Sequence, residues 1–296
     1  MNKLLLFTIY IFFGFTIHAQ TLYTDADISA KTINTSLAVG LIPGSASVSE
    51  NGHSGYSIPV LLPAGVKNTT PEISINYSSA TGASLLGYGW TMNAYSSIGY
   101  DNKNLYNDNE QAPAYINSSG PYYWNGQRLF SVNGTNTEFK TEQESYAKIT
   151  ASSGANPASF TVITKSGITM EYGTANDAKV VTSTSKPVKW LLKKVADNLG
   201  NYITYTYQQI NNEVVLSNIT YTQNSQIAAQ YNNSVDFEYT TRIDNSIYFA
   251  AEESVSDLEP LYRKNKLTSI TIKSEGQLVS KYEFIYGDNG LYTFLK

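Results

Sequence analysis

Apolar and polar residues alternate over many short stretches of this chain, and such alternation predicts β-strands with one buried face. No stretch repeats its apolar residues convincingly at the spacing of a helix. We predict a strand even at Trp190–Asp197, the nearest candidate for a helix. The apolar positions of the clearest predicted strands are Tyr56, Ile58, Val60 and Leu62; Ile73, Ile75 and Tyr77; Ile168, Met170 and Tyr172; Ile203, Tyr205 and Tyr207; Val235, Phe237 and Tyr239; and Tyr282, Phe284 and Tyr286.

Short segments rich in glycine and asparagine separate these predicted strands and are typical of tight turns. The clearest are Asp197–Asn201, Lys273–Gln277 and Lys165–Gly167. Asp101–Gly120 is longer and polar, and we interpret it as a long loop or a variable insertion. The second half repeats one unit: a polar start, an alternating stretch of β-branched and aromatic residues, and a turn. The pattern predicts an all-β fold, an antiparallel strand meander with curved sheets.

The N-terminus has the features of an export signal. Lys3 precedes an apolar run from Leu4 to Ile17, and the small residue Ala19 is suited to cleavage. We therefore predict a signal peptide over residues 1–19, with a retained membrane anchor as the alternative. The run is short for a membrane span, which needs about 20 apolar residues. Residues 20–45 are expected to be a linker or peripheral segment, and residues 46–296 the all-β region.

The C-terminal sequence "YGDNGLYTFLK" ends on what looks like the start of a further strand. An unpaired strand edge is prone to aggregation and is usually covered. Our hypothesis is that the all-β region is truncated at its C-terminus, either because the chain is a piece of a longer product or because the gene is truncated.

Composition narrows the possible functions. The chain has 296 residues, a net charge of −4 and 15% charged residues, which argues against a nucleic-acid-binding surface. It contains no cysteine, which excludes disulfides and thiolate metal sites. Its 24 tyrosines fit half-buried strand surfaces, while an exposed aromatic surface for carbohydrate is the sharper alternative.

Residues that could support catalysis or metal binding are sparse. Outside the predicted signal peptide, His53 is the one histidine, and no nucleophile motif accompanies it. The acid pairs Glu142/Glu144 and Asp236/Glu238 could in principle hydrolyse glycosides, but solvated strand faces show the same spacing. Asp101–Glu110 is rich in oxygen ligands but departs from the calcium-loop pattern. We therefore assign no catalytic residue, no cofactor and no metal site.

One region of the sequence resembles a known family. The segments "VSENGHSGYSIPVLLPAG", "PEISINYSS" and "LLGYGW" are similar, in this order, to the start of the SpvB-type domain, and the likeness continues to about residue 290. This domain is the N-terminal part of the B component of insecticidal toxin complexes and of related Rhs-like secreted proteins. The turn "LPAG" departs from the family's double proline. The positions that carry the family motif are Gly55, Tyr56, Pro59, Gly65, Pro71, Tyr77, Gly87, Gly89 and Trp90.

The resemblance implies a structural role. In that family the domain forms β-rich walls of a hollow shell that holds a toxic C-terminal segment. We therefore expect a non-enzymatic scaffold module, secreted or on the cell surface, whose partners are other toxin-complex or Rhs-type segments. We expect no nucleic-acid partner and no membrane span after signal cleavage. Within the motif, we interpret "YSIPVLL" as an edge or first strand because it contains Pro59, and Trp90 as a large aromatic anchor.

The main alternative is a secreted carbohydrate-binding or adhesin module. It predicts a row of exposed aromatic side chains, for which Tyr122, Tyr123 and Trp124 are the candidates. An enzyme is the third possibility, and it requires acids from several strands to converge in one pocket.

Overall fold

The computed structural model describes residues 42–67, 69–113, 120–132, 134–182, 185–227, 232–249, 261–288 and 292–296. The chain separates into two compact units, residues 1–42 and 43–296, and every element below lies in the second. The predicted signal peptide and residues 20–41 of the predicted linker fall outside the described residues.

The predicted all-β fold is confirmed, with mostly short strands in the first half and long strands in the second. The strands are β1 Ser45–Val48, β2 Ser54–Pro59, β3 Ser74–Ser78, β4 Ala83–Ser84, β5 Gly87–Tyr88, β6 Trp90–Asn93, β7 Ser97–Tyr100, β8 Tyr122–Trp124, β9 Gln127–Ser131, β10 Glu138–Thr141, β11 Lys148–Ala151, β12 Phe160–Ile163, β13 Thr169–Tyr172, β14 Lys179–Val181, β15 Pro187–Ala196, β16 Asn201–Ile210, β17 Glu213–Asn224, β18 Asn233–Phe249, β19 Leu261–Ser274, β20 Gln277–Glu283, β21 Tyr286–Asp288 and β22 Thr293–Leu295.

Eight strands close into a ring. The order is β13-β12-β11-β10-β9-β8-β7-β15, and β15 pairs again with β13. Each neighbouring pair from β7 to β13 is antiparallel. Closure removes the free edges that an open sheet of these strands would expose.

Strand β15 closes the ring and also extends it. Its first half pairs with β14 and β7, where Trp190 lies opposite Lys179 and Ile98. Its second half pairs with β13 and β16, where Val195 lies opposite Met170 and Ile203. The stretch at Trp190–Asp197 is therefore a strand, as predicted.

From β15 the sheet continues as the antiparallel meander β16-β17-β18-β19-β20. The predicted turns are confirmed where positive backbone φ angles reverse the chain. Gly200 has φ 85° between β15 and β16, and Gly276 has φ 78° between β19 and β20. The repeated strand unit of the second half is this meander.

A separate four-stranded sheet has the order β1-β2-β3-β6. The prediction that "YSIPVLL" forms an edge or first strand is wrong, because β2 lies between β1 and β3. β1 pairs only with Ser54–Ser57 of β2 and stops short of Pro59. Pro59 pairs with Ser74 on its other side. Because Pro59 lies at the end of this inner strand, it does not pair with β1.

The long loop predicted at Asp101–Gly120 contains more structure than expected. Residues 114–119 lie outside the description, but Leu105–Asp108 forms the short helix α1. Asn104 caps it by accepting a 2.8 Å hydrogen bond from the backbone N–H of Asn107. A 3₁₀ turn spans Asn176–Ala178. No helix in the described part of the chain is long and apolar enough to cross a membrane.

Aromatic side chains fill the core of the closed ring. Trp190 is fully buried, and its ring centroid lies 4.9 Å from that of Phe160, 5.6 Å from Tyr100 and 5.7 Å from Tyr122. Its indole N–H donates a 2.8 Å hydrogen bond to the carbonyl oxygen of Pro157. A buried tryptophan with a satisfied N–H stabilises through both contact area and hydrogen bonding.

We predict that Trp190→Ala lowers the free energy of unfolding by about 3–5 kcal/mol, since the change leaves a large cavity in the core. Trp90→Ala is the matched control, because Trp90 is only half-buried, and it should cost about half as much. Urea unfolding followed by circular dichroism measures both values. Equal losses for the two variants would contradict the placement of the core at Trp190.

Candidate functional site

Most of the family-motif residues lie in the four-stranded sheet and the loops beside it. Directly paired residues share a face, so Tyr56, Tyr77 and Trp90 form one row across β2, β3 and β6. Ile58, Ile75 and Met92 form the next row on the same face. The period-2 pattern therefore builds one apolar face from three separate segments.

The opposite face of this sheet is polar. Ser57 lies opposite Asn76, and Asn76 opposite Thr91. The Ser57 hydroxyl donates a 2.7 Å hydrogen bond to the Asn76 side-chain oxygen, and the Asn76 amide donates to Ser74 at 2.9 Å. The first of these bonds joins β2 to β3, and the second lies within β3.

Two glycines of "LLGYGW" allow close approach of neighbouring groups. Gly87 has φ 87°, and a Cβ there would lie 2.6 Å from the carbonyl oxygen of Thr293 in β22. Gly89 has φ 82°, and a Cβ there would lie 2.7 Å from the Tyr77 ring. Both a left-handed backbone and contact with a neighbour therefore require glycine at these positions.

The remaining motif residues support the sheet from its ends. Gly55 pairs with Ser78 in β3. The backbone N–H of Gly65 donates a 2.7 Å hydrogen bond to the Thr70 hydroxyl, which folds the loop between β2 and β3. Pro71 is buried just before β3. Trp90, which we interpreted as a large aromatic anchor, is half-buried, and its ring centroid lies 5.3 Å from that of Tyr77.

Two tyrosine hydroxyls fasten the "LLPAG" loop to the large sheet. Tyr221 in β17 donates a 2.9 Å hydrogen bond to the Pro63 carbonyl oxygen. The Tyr282 hydroxyl in β20 accepts a 3.1 Å hydrogen bond from the Leu61 backbone N–H. Both bonds join residues far apart in sequence, so they hold the small sheet against the meander.

Between the small sheet and the large sheet lies a cleft of about 1020 Å³. Its floor includes the cross-strand row Met170, Val195 and Ile203 from β13, β15 and β16. The loops before β3 and after β2 form one wall, and the β8–β9 turn lies at another side. Glu72 is the one charged residue among its described lining residues, and it is exposed.

The candidate catalytic residues do not converge in this cleft. His53 lies in the exposed turn between β1 and β2. Glu142 and Glu144 follow β10 rather than sharing a strand face, and Glu144 lies 3.6 Å from Lys140. Asp236 pairs with Lys273 of β19 at 2.9 Å. Glu238 accepts a 2.7 Å hydrogen bond from Ser269 in the same strand pair.

The loop considered for calcium has an arginine among its carboxylates. Arg128 lies 2.6 Å from Asp108 and 3.7 Å from Asp101, and it donates to the Asn102 carbonyl oxygen at 3.2 Å. Burial would raise the pKa of Asp108, but hydrogen bonds from the Asn104 backbone and Arg128 outweigh burial and lower it. In the described residues, no three histidine, cysteine or acidic side chains gather as metal ligands do.

The aromatic residues proposed to bind carbohydrate are mostly buried. Tyr122 is fully buried in the ring, and Trp124 is 7% exposed and donates a 2.8 Å hydrogen bond to the Tyr172 hydroxyl. Tyr123 is half-buried. The prediction of an exposed aromatic row at these three residues is therefore wrong, because β8 belongs to the closed ring.

A buried ion pair connects three distant segments beside the "LLGYGW" motif. Arg242 in β18 donates to Asp244 at 2.8 Å and to the Ser84 carbonyl oxygen at 2.7 Å. Asp244 also accepts hydrogen bonds from the backbone N–H and hydroxyl of Thr293. Burial would raise the pKa of Asp244, but the bonds from Arg242 and Thr293 hold it well below its usual value.

The sequence analysis did not predict the floor of the cleft or the hydrogen bonds that join the Tyr221 and Tyr282 hydroxyls to the "LLPAG" loop. Part of the floor could have been predicted from the sequence, because the turn Asp197–Asn201 fixes the hairpin register that places Val195 opposite Ile203. The pairing of Met170 with Val195 joins strands separated by β14, and no local signal predicts it.

The family model described as SpvB, Salmonella virulence plasmid 65kDa B protein, matches residues 48–263. No curated protein sequence matches the chain. The N-terminal domain of effector protein SpvB from Salmonella typhimurium strain LT2 has a similar structure. The TM-score is 0.63 and the identity 15%, covering 81% of this chain and 96% of that domain.

Toxin-complex structures are also similar. For TcdB2-TccC3-TEV the TM-score is 0.66 and the identity 14%, covering 88% of this chain and 16% of that one. For the Photorhabdus luminescens Tc holotoxin pore the TM-score is 0.59 and the identity 14%, with the same coverage of 88% and 16%. At these identities the likeness establishes a shared fold, and the chain spans about a sixth of the toxin chains.

We predict that Gly87→Ala lowers the free energy of unfolding by about 3 kcal/mol, from backbone strain plus collision with the Thr293 carbonyl. Gly52→Ala is the matched control: Gly52 has a similar φ of 79°, but a Cβ there would meet no atom within 4 Å. Gly52→Ala should lower the free energy of unfolding by only about 1 kcal/mol. Thermal unfolding of both variants measures the difference, and equal losses would contradict the close approach of β22.

Burial raises the pKa of Tyr221 to about 12. A raised pKa stabilises the folded state below the unfolded value of about 10 and loses that contribution as pH rises through 12. We predict that stability falls between pH 9 and pH 12, and that Tyr221→Phe removes about 2–3 kcal/mol of this fall. Urea unfolding across that pH range measures both proteins. Parallel declines for the two would contradict the buried hydroxyl.

Proposed function

This chain belongs to the SpvB family, and from that premise we propose that it is a non-enzymatic structural module in the shell of a secreted toxin-complex-related protein. Its partners are other toxin-complex or Rhs-type segments. It acts outside the cell or on the cell surface, after export through the N-terminal signal. Shared fold with toxin-complex structures supports the context, and the internal chemistry of the chain supports the scaffold role.

The observation that carries the proposal is the reuse of one fold in two settings. The fold accounts for 96% of the SpvB N-terminal domain structure and for 16% of a TcdB2-TccC3 chain. A unit of this kind has its own core and is also built into much larger chains. Such reuse is typical of a self-contained module.

Buried acidic groups serve the fold rather than a reaction. Glu213 is 3% exposed and accepts hydrogen bonds from the backbone N–H groups of Lys264 and Asn265 at 2.9 and 3.0 Å. The Asn265 side chain donates to the same carboxylate at 2.9 Å. Asp244 is engaged in the same way by Arg242 and Thr293. These carboxylates hold strands in place, and their acceptor capacity is used internally.

A sheet edge offers a means of joining the rest of a shell. In the described residues β20 ends the meander and pairs only with β19. Leu278 and Val279 in β20 are 64% and 52% exposed. An open edge with adjacent apolar residues is a template for another strand. We infer that neighbouring shell segments pair here.

The carbohydrate-binding alternative has one favourable observation. The row Tyr56, Tyr77 and Trp90 lies at the rim of the small sheet, and Tyr56 is 39% exposed. Exposed ring faces can stack on sugars. A glycan array with Tyr56→Ala as the comparison tests this alternative, and binding that depends on Tyr56 favours it over the shell.

The shell proposal predicts contacts with toxin-complex or Rhs-type segments. The tagged full-length chain is expressed in its source cells, crosslinked, recovered from the medium or cell surface, and its crosslinks are mapped by mass spectrometry. We expect crosslinks from Lys281, in β20, to such segments. Leu278→Asp should reduce these crosslinks at least fivefold, while Val48→Asp, at a residue of β1 that is also exposed, should leave them unchanged. Recovery of the chain without any such neighbour would contradict the proposal.

A further inference from the structure

We propose that the cleft between the two sheets binds a neutral oligosaccharide. The inference goes beyond the shell role and does not depend on it, because the cleft is a different surface from the β20 edge. It also differs from the carbohydrate alternative above, since Tyr56, Tyr77 and Trp90 are not among the described residues that line the cleft.

Tyr205 brings a hydroxyl group to the floor of the cleft. Tyr205 and Ile203 lie two residues apart on β16, so their side chains share one face, and both residues line the cleft. Tyr205 is 4% exposed, yet its hydroxyl is not fully enclosed and has no hydrogen-bond partner among the described residues. The next tyrosine on this face, Tyr207, instead donates a 2.6 Å hydrogen bond to the Leu192 carbonyl oxygen. The Tyr205 hydroxyl is therefore free to bond a ligand.

Other neutral polar side chains line the cleft in the same condition. They follow β6, lie in β7 and β8, or form the β8–β9 turn, and within the described residues none has a side-chain hydrogen bond: Asn93, Tyr95, Ser97, Tyr123 and Asn125. A sugar hydroxyl both donates and accepts, so it can pair with hydroxyl and amide groups alike. A purely apolar ligand would displace water from these groups without replacing its hydrogen bonds, at a cost in free energy.

Two aromatic rings of the lining are held in place. Tyr123 is half-buried and pairs with Gly99 in β7, where a Cβ would lie 2.8 Å from the Tyr123 ring. The glycine therefore lets this ring lie against the β7 backbone. Tyr95 is half-buried, and its ring meets that of Tyr207 edge to face at 5.3 Å. The negative face of an aromatic ring attracts C–H groups, which a sugar ring presents on its flat sides.

Size and apolar lining agree with an oligosaccharide. The volume of about 1020 Å³ lies at the upper end of the range for small-molecule pockets, so the cleft has room for more than one sugar ring. Met170, Leu192 and Val195 add aliphatic surface. Sugars combine apolar faces with polar edges, and this mixed lining matches both.

Charge restricts the ligand to neutral sugars. Among the described lining residues only Glu72 is charged, and it is exposed at the start of β3. Sulfate, phosphate and carboxylate groups are bound most strongly by cationic side chains. No described lining residue supplies one, so sulfated and sialylated glycans have no charged partner in the cleft.

The first test uses the full-length protein on an array that carries neutral hexose and N-acetylhexosamine oligosaccharides beside sialylated and sulfated glycans. We expect binding to neutral oligosaccharides, and isothermal titration calorimetry measures the dissociation constant of the strongest. Tyr205→Phe should weaken this binding about threefold to tenfold, as loss of one neutral hydrogen bond does. Its Tm should stay unchanged, because the hydroxyl bonds no described residue.

Tyr239→Phe is the matched control for the hydroxyl. Tyr239 lies outside the described lining and donates a 2.7 Å hydrogen bond to the Leu216 carbonyl oxygen. Its loss should lower the Tm and leave sugar binding unchanged. A merely structural role for Tyr205 would give both variants the same result.

A second pair of variants tests the aromatic contact. Tyr123→Ala should weaken binding at least tenfold, while Tyr88→Ala, at a tyrosine 51% exposed outside the described lining, should leave it unchanged. The proposal is overturned if no neutral oligosaccharide binds, if charged glycans bind more tightly, or if Tyr205→Phe and Tyr123→Ala bind as the unmodified chain does. It is also overturned if Tyr56→Ala abolishes binding, because the sugar would then lie on the small sheet.

Discussion

The pairing of β15 with four other strands is the constraint on which the rest of this structure depends. Its first half joins the closed ring through β7, and its second half closes the ring through β13 and begins the meander through β16. Trp190 lies in this strand and is buried among aromatic residues from β7, β8 and β12. The same ten residues therefore set the register of the ring, the start of the meander and the floor of the cleft.

The family motif acts through geometry. Its strands form a small sheet with rows of paired apolar residues on one face. Gly87 and Gly89 leave space for the close approach of β22 and the Tyr77 ring, respectively. Hydroxyls of Tyr221 and Tyr282 then fasten the motif loop to the meander. Abundant tyrosine thus has a structural explanation: large rings fill the sheets, while the hydroxyl groups reach main-chain groups of neighbouring segments. Such an arrangement suits a module that holds a fixed shape among partners.

Local patterns predicted the elements well, and tertiary contacts account for what they missed. Alternation identified β3, β16 and β18, and the predicted glycine turns identified the β12–β13, β15–β16 and β19–β20 hairpins. Pro59 suggested an edge strand because sequence cannot show that β1 ends before reaching it. Trp90 and Trp190 look alike in sequence, yet only ring closure buries Trp190. Tyr122 and Trp124 suggested an exposed surface because local sequence does not reveal which strands close into a ring. The cleft depends on the pairing of β13 with β15, which no local signal contains.

Amide hydrogen exchange of the full-length chain, followed residue by residue, tests the central role of β15 most directly. If β15 joins the ring to the meander, amides of Trp190 and Val195 should exchange only through global unfolding, with protection equal to the full free energy of unfolding. Amides of β20 at the edge should exchange sooner through local opening. Exchange of the β15 amides as fast as those of β20 would contradict the account.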